Sequence, residues 1–563
     1  MLIELLARAA IPFYYRRVKR FLADARRARQ IQRDLLLTKV ARHAVSDFGR
    51  EHGFAHIRSV ADFRRQVPVA GYDYYQPYIE RVKRGDLGAM FGPGTKLLMF
   101  ALTSGTTSAS KFIPVTREFF DEYRRGWFIW GANNYRDHSD QVGRRTLHLT
   151  TDWKQFHTEG GIPCGNISGL AAELAPPILH FAYAVPRPVA KISDPEAKHY
   201  TILRIALAQP QVGMIITANP STLVELARRA DAQRESLIRD IFDGTLSTDV
   251  KVPGPVRESL HPQIGRPDRQ RARELERIIQ RTGALYPKDF WTRLSLLAVW
   301  LGGSVGVYLP LLKPYYGDTM FRDHGLSASE GRMTIPLADG ANSGVLEFAS
   351  HYFEFIPEEE HGTAQPTVLE AHELEVGRNY FILLTTSGGL YRYDIQDVVR
   401  CVGYEGEAPV LEFLNKGAHF SSITGEKLSE FQVVAAVKKG FAELGLPLEY
   451  FTVAPVMCER PYYVLLLEAD AYGDDPERLA ERIDFHLTQG NAEYAEKVRS
   501  GRLMPLVVRE LPPGTWQAFR QQRIAAQGNP EGYKHPCLVG DLQFIDKLRE
   551  LGPVVGAKTG EAA

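Results

Sequence analysis

Cysteine is scarce in this chain of 563 residues. There are four, Cys164, Cys401, Cys458 and Cys537, far apart, with no Cys-x-x-Cys pair and no histidine cluster at metal spacing. This excludes a disulfide-stapled scaffold and a cysteine-built zinc module, and reads as reduced, mostly buried thiols in a cytoplasmic protein. Net charge is also nearly absent, +1 from 68 basic and 67 acidic residues. Whole-protein electrostatics therefore give no reason to expect nucleic acid or another polyanion as the main ligand. No unbroken hydrophobic run is long enough for stable membrane insertion. The one candidate, Leu294 to Leu312, is uncharged but interrupted by Gly302, Gly303, Gly306 and Pro310. Its first part, Leu294 to Leu301, suits a buried strand followed by a tight turn. Met1 to Ile11 is apolar but carries Glu4 and Arg8 and lacks a leading basic region, so it does not read as a signal peptide. Internal repeats and low-complexity segments are missing too.

What is present is an ordinary globular composition, 44% hydrophobic, over a length that exceeds a single core. Cores stop growing near about 250 to 300 residues, so a large domain and at least one more are expected. Helical periodicity dominates the first hundred residues and returns at Pro220 to Ile241 and Arg269 to Arg281. Short apolar runs at Thr146 to Thr150, Val212 to Thr217, Leu296 to Leu301, Val345 to Phe348 and Tyr380 to Thr385 read as strands. Because these runs are continuous rather than alternating, the fold class expected is α/β with sheets buried on both faces. A second unit begins near Asn415-Lys416-Gly417. Its pattern is helix (Ser429 to Glu443), strand (Glu449 to Val456), strand (Tyr462 to Glu468), helix (Pro476 to Thr488) and strand (Leu506 to Arg509). The expected division is a large domain over 1–415 and a small α+β domain over 416–563. A basic run also stands out: Arg16, Arg17, Lys19, Arg20, Arg26, Arg27, Arg29 and Arg33 are opposed only by Asp24. Such a run is more often a solvated face, and a basic amphipathic helix can also lie on an anionic membrane.

The richest chemistry lies in Thr103-Ser104-Gly105-Thr106-Thr107-Ser108-Ala109-Ser110-Lys111, which follows the apolar run Leu97 to Leu102. Six hydroxyls, a glycine and a lysine make a poor core and a good phosphate cradle. A Walker loop is excluded, since Gly105 is followed by Ser110-Lys111-Phe112 without the second glycine or the metal-binding hydroxyl. Three further segments complete a nucleotide site. Gly302-Gly303-Ser304 could let backbone approach a flat ring. Asp323 to Glu330 sets an acid beside small residues, and Tyr391 to Arg400 sets acids after an aromatic strand. Carboxylates can hold Mg²⁺ on phosphates or clasp ribose hydroxyls.

Here the chain resembles the adenylate-forming superfamily of acyl-CoA synthetases, peptide-synthetase adenylation domains and luciferases. The resemblance is closest to the Gretchen Hagen (auxin-responsive promoter) acyl-acid amido synthetases. The family's phosphate loop matches Thr103 to Lys111, its Ser-x-Ser-Glu element matches Ser327 to Glu330, and its Tyr-Arg…Asp-Val-Val element matches Tyr391 to Val399. Likeness continues at Phe48 to Phe54, Gly425 to Glu430 and Tyr533 to Cys537, so it spans nearly the whole chain. In two places the chain departs from the family pattern. Asp394-Ile395-Gln396 replaces the commoner Arg-Val-Gly, and His535 and Leu538 differ around Lys534.

The resemblance implies a large adenylate-forming domain and a smaller mobile C-terminal one, with ATP and Mg²⁺ as cofactors and a carboxylic acid and an amino acid as partners. It implies that Ser104, Gly105, Thr106, Thr107 and Lys111 hold phosphates, with Glu330, beside Ser329, on Mg²⁺. Gly303 and Ser304 would flank adenine and Asp397 would clamp ribose, with Arg400 close by. Lys427 and Lys534 would be catalytic lysines, the latter brought in by domain closure. Transfer to coenzyme A or a carrier thiol shares the first half-reaction and stays open as an alternative. A serine hydrolase using Ser304 in the Gly302-Gly303-Ser304-Val305-Gly306 elbow is a further alternative that explains none of the other motifs. Phe119, Phe120, Trp127, Phe128 and Trp130 are either core or acyl-pocket lining, and His148 and His157 either structural or part of that pocket. Glu358-Glu359-Glu360-His361 is expected to be an exposed loop.

Overall fold

The computed structural model describes residues 2–103, 111–176, 182–303, 309–417, 420–424, 426, 428–458, 460–469, 471, 475–527 and 533–551. The chain forms two compact units. One holds Met1–Leu301 with Lys313–Phe413, and the other holds Gly302–Leu312 with Leu414–Ala563.

In the first unit, helix α1 (Leu2–Asp24) opens the chain and α2 (Tyr72–Lys83) precedes the antiparallel strands β1 (Leu97–Thr103) and β2 (Lys111–Thr116). Helix α3 (Arg117–Asp137) starts where the Thr116 hydroxyl accepts the Phe119 N–H, an N-cap that stops β2 and begins the helix at once. Strands β3 (Arg145–His148), β4 (Val212–Ile216), β5 (Leu296–Ala298) and β6 (Met320–Arg322) make an all-parallel sheet. Its apolar strands match the continuous runs read from sequence, because parallel strands are covered on both faces. The sequence run Pro220 to Ile241 resolves into two helices, Pro220–Ala232 and Arg234–Asp243.

A hairpin of β7 (Ser327–Ala328) and β8 (Gly331–Arg332) leads into a seven-stranded sheet. Its centre is β9 (Tyr352–Pro357), β10 (Asn379–Thr385) and β11 (Tyr393–Glu405), paired antiparallel in the order β11, β10, β9. Every residue of β9 is buried although the pairing is antiparallel. Helix Ala28–Arg42 packs over it, and its Gln32 amide donates to the carbonyls of Phe348 and His351 while accepting the Phe353 N–H. One carboxylate fastens the helical N-terminal region to this sheet. Glu354 of β9, 1% exposed, accepts the guanidiniums of Arg64 and Arg392 at 2.8 Å each, and Arg392 also donates to the Val67 carbonyl.

The second unit carries a three-stranded sheet, Phe451–Val456 antiparallel to Tyr462–Glu468 and parallel beyond it to Val507–Leu511. Its first helix, Glu430–Leu444, is bounded by a Ser429/Gln432 capping box and by Gly445 at φ +67°. All four cysteines are free, Cys458 exposed and the others buried. Among the described residues no helix is long and apolar enough to cross a membrane.

Glu354→Gln keeps the shape but leaves Arg392 charged, buried and short of its counter-ion. Loss of about 3 kcal/mol is expected, read as a lower urea midpoint for the first unit, whereas a shift below about 0.5 kcal/mol would show the pair to be dispensable.

Candidate functional site

The site is built around a short suture. Ala70 bridges to Tyr393 in parallel, exchanging backbone bonds with Arg392 and Asp394 (Ala70 N to Arg392 O 3.3 Å; Asp394 N to Ala70 O 2.9 Å). Two residues on, Tyr72 opens α2, and its phenol oxygen accepts the Phe112 N–H at 2.8 Å. The suture thus joins β11 to the start of β2, where Lys111 lies half-buried with its ammonium 5.5 Å from the Tyr72 ring.

Glu330 reaches the same place from another direction. Ser329 and Glu330 form the two-residue turn between β7 and β8, with Gly331 opposite Ala328. At Gly331 a Cβ would come within 2.9 Å of Leu384, the β10 residue opposite Tyr393, so the hairpin lies closely against the sheet there. Glu330 is buried and raises the pKa of Tyr72, which burial above all, with Glu330, Glu80 and Asp73, pushes up to about 12. The Tyr393 phenol, 1% exposed, is pushed far up by burial first, then by Glu330, Tyr72, Asp394 and Asp397. Lys111, Glu330 and Asp397 are therefore gathered around two tyrosines of the first unit.

Asp397 gets its position from an irregular backbone. Leu383 faces Asp394 and Phe381 faces Val398, so the single residue Ile382 spans Ile395-Gln396-Asp397. Such a bulge re-aims side chains. Gln396 at its centre has φ +62°, and Arg392 upstream has φ +48°. The side chain of Asp394 holds the bulge by accepting the Gln396 N–H at 2.8 Å, and its other oxygen pairs with His361 Nε2 at 2.8 Å. His361 in turn stacks on Phe381 at 3.6 Å. The departure from the family's Arg-Val-Gly is thus a coordinated set: glutamine occupies a positive-φ position, and aspartate with histidine supports it. The expectation of an exposed loop over Glu358 to His361 is corrected, since only Glu359 is exposed, Glu358 and Glu360 are half-buried, and His361 is tied to Asp394 and Phe381. Sequence held no signal for this pairing, because residues 361 and 394 meet only through the sheet.

The other sequence-derived residues divide as follows. Ser104, Gly105, Thr106, Thr107, Ser304 and Lys427 lie outside the described residues. Arg400, three residues beyond Asp397, donates to Asn379 at 3.0 Å. Gly303, φ +62°, belongs to the segment grouped with the second unit. Lys534 is exposed, in a segment anchored on both sides: Tyr533 and Thr452 hold the His535 ring, and Glu430 accepts the Cys537 N–H at 2.7 Å. His535 and Leu538, both buried, are therefore the packing that fixes this segment. Glu426, next to Lys427, accepts the N–H groups of Ile423 and Thr424 and the Tyr463 hydroxyl.

Phe119, Phe120 and Trp130 are core, while Trp127 stands 5.7 Å from His324. His324 and His148 follow or end β6 and β3, and Thr217 follows β4, so the three mark the carboxyl end of the parallel sheet, the usual place for a ligand crevice. Desolvation lowers both histidines to about 4, so each is a neutral imidazole near pH 7. His157 is exposed on a two-residue strand. Among the described residues no three His, Cys, Asp or Glu side chains gather as a metal centre.

The fold is shared with the solved structure of GH3.15 acyl acid amido synthetase, which superposes with a TM-score of 0.83 at 19% identity, over 95% of each chain. Three family models match in succession: the GH3 family N-terminal domain at residues 17–321, its central domain at 344–416 and its C-terminal domain at 431–543. The chain belongs to the GH3 family. It is 23% identical to indole-3-acetic acid-amido synthetase GH3.3 of Arabidopsis thaliana, over 92% of this chain and 90% of that one. It is 24% identical to the 4-substituted benzoates-glutamate ligase GH3.12 of the same plant, over 86% and 88%. To jasmonoyl-L-amino acid synthetase JAR6 of Nicotiana attenuata it is 23% identical over 85% of each.

Gln396→Val places a β-branched residue at positive φ and is expected to cost about 2 kcal/mol, read as a lower urea midpoint, while Gln396→Gly retains the parent midpoint; equal midpoints of the two would remove the backbone argument. For the histidines the sign is set by depressed folded values. His43 and His324 near 4 and His535 near 3 stay neutral in the fold while the unfolded chain titrates near 6.5. Their stabilising contribution is full above pH 6.5 and falls by about 1.4 kcal/mol per pH unit and per histidine as pH drops toward 4. Proton NMR should show these rings neutral from pH 7 to about 5.

Proposed function

We propose that this chain is an ATP-dependent acyl-acid amido synthetase. The observation that carries the reading is the gathering of Lys111, Glu330 and Asp397 around Tyr72 and Tyr393 in a member of this family. A carboxylate oxygen of the acid attacks the α-phosphorus of ATP, the bond to the β-phosphate oxygen breaks and pyrophosphate leaves. An amino acid's amine then attacks the acyl carbon, AMP leaves and a proton is lost, which gives the amide. The protein's part is positioning and charge stabilisation rather than covalent chemistry.

In this reading Asp397 accepts from the ribose hydroxyls, and its bulge keeps the carboxylate aimed while the rest of β11 stays paired. Lys111, with the hydroxyls of Ser104, Thr106 and Thr107 and the backbone at Gly105, neutralises the leaving phosphates. Gly303 and Ser304 flank the adenine, and Lys427 and Lys534 supply positive charge during adenylation. Mg²⁺ would be held by Glu330, beside Ser329, together with the nucleotide's phosphates, a donor set that suits an ion that keeps few protein ligands, and it would screen charge between phosphate oxygens. The acid would enter the crevice at the carboxyl end of the parallel sheet. Neutral His148 and His324 there present hydrogen-bonding groups without repelling or binding its carboxylate as fixed charges. Free thiols at all four cysteines suit a cytoplasmic setting.

The deciding experiment is a panel of carboxylic acids scored for acid-dependent pyrophosphate release, followed by amino acids and then coenzyme A as acceptors. Amide product is expected. Thioester as the sole product would move the chain to the thiol ligases, and pyrophosphate release that needs no acid would remove the reading. Lys111→Ala and Asp397→Ala should each lower acid-dependent release by about 100-fold or more, with Asp397→Ala acting mainly through the KM for ATP.

A further inference from the structure

The basic run on α1 is not absorbed by the nucleotide site, and its surroundings give it a purpose. The buried side of α1 is fixed: Val18 and Phe21 are in the core, as is Ala25 just past its end, and Phe21 stacks on Phe348 at 4.9 Å. Beside these residues, with Phe21 on its wall, α1 meets α3 along an open cleft of about 680 Å³. Arg17, Arg20, Arg124 and Arg125 line it above an apolar floor of Phe128, Ile129 and Phe348. The two acids of the cleft do not neutralise this set. Asp24 lies 2.7 Å from Arg27 but 3.6 Å from Arg20, and Asp121 lies 3.1 Å from Arg117 but 4.0 Å from Arg124. Each thus has its nearer partner outside the cleft.

Aromatic side chains extend the cleft outward. Phe13 is 64% exposed and Tyr14 47%, and edge contacts of 5.7 Å run from Phe13 to Tyr14 and from Tyr14 to Phe128. Arg17 lies over the Phe128 ring at 4.5 Å. Phe13, Arg17 and Arg20, at spacings of four and three, share one stripe of the helix, and Arg16 and Lys19 flank it on the solvent side. A purely solvated basic face needs no exposed phenylalanine. Arg125 donates to the Ala349 carbonyl, and the cleft's carboxylates stand 3.6 Å from Arg20 and 4.0 Å from Arg124. Exposed aromatics next to such loosely paired guanidiniums match the headgroup layer of an anionic bilayer, where rings enter the interface and cations meet phosphates.

We propose that α1 and the α1/α3 cleft form a peripheral docking face for anionic phospholipid membrane, with Arg17, Arg20, Arg124 and Arg125 on the lipid phosphates and Phe13 and Tyr14 in the interface. The contact is reversible and electrostatic, so it adds to an enzyme in solution without inserting a helix.

The test is co-sedimentation of the full chain with phosphatidylcholine vesicles and with vesicles that also contain phosphatidylglycerol. Pelleting with the anionic vesicles alone is expected, and it should be lost on going from about 0.1 M to about 0.5 M salt. Arg17→Gln with Arg20→Gln should weaken binding about 25-fold, near fivefold per charge. Phe13→Ser should weaken pelleting at about 0.1 M salt, and all variants should keep the parent melting profile and amide synthesis rate. Equal pelleting with neutral vesicles, no pelleting with anionic ones, or unchanged pelleting of the double arginine variant would overturn the proposal. So would tight binding of inorganic phosphate by calorimetry that the arginine variant abolishes while vesicles are ignored, because the cleft would then be a site for a free anion.

Discussion

The Tyr393 phenol is the fixed point of the first unit. It is buried in β11 and feels the carboxylates of Glu330, Asp394 and Asp397 and the phenol of Tyr72. Like charges gathered around one low-dielectric point are unfavourable unless cations answer them. Lys111 beside Tyr72 is one answer built into the protein, and the Asp394 carboxylate is also hydrogen-bonded to His361. A nucleotide with its metal would bring others.

Backbone geometry carries as much of the site as side-chain chemistry does. The pairing of β10 with β11 would continue regularly but for the bulge at Ile395-Gln396-Asp397 and the positive φ of Arg392 and Gln396. Conformations of that kind persist only where neighbours over-determine them. Here the neighbours are identifiable. Arg392 is held by Glu354 and the Val67 carbonyl, and Gln396 by the carboxylate of Asp394, itself held by His361. The departures from the family motif thus replace a glycine's freedom with a hydrogen-bonded support.

Much of the fold was legible because local pattern and tertiary setting agree. The apolar runs at Val212 to Thr217 and Tyr380 to Thr385 became strands within a residue or two, and Tyr462 to Glu468 became a strand with those bounds. The long helical stretch Pro220 to Ile241 was not seen to break at Gln233, where no glycine or proline marks the turn. The burial of β9 inside an antiparallel sheet also left no mark distinguishing it from a parallel strand, since a residue run records burial but not the direction of its neighbour.

By itself the sequence determined the α/β class, the family, and the chemical types that meet at the site, because hydrophobic periodicity and short motifs are local properties of the chain. Only the tertiary structure decided that Lys111, Glu330 and Asp397 share one surrounding, that His361 supports Asp394, and that arginines of α1 and α3 line one cleft. These are contacts between residues tens to hundreds of positions apart, and no local pattern encodes them. They arise when a suture of a few backbone hydrogen bonds and a buried ion pair bring distant strands and helices to the same point.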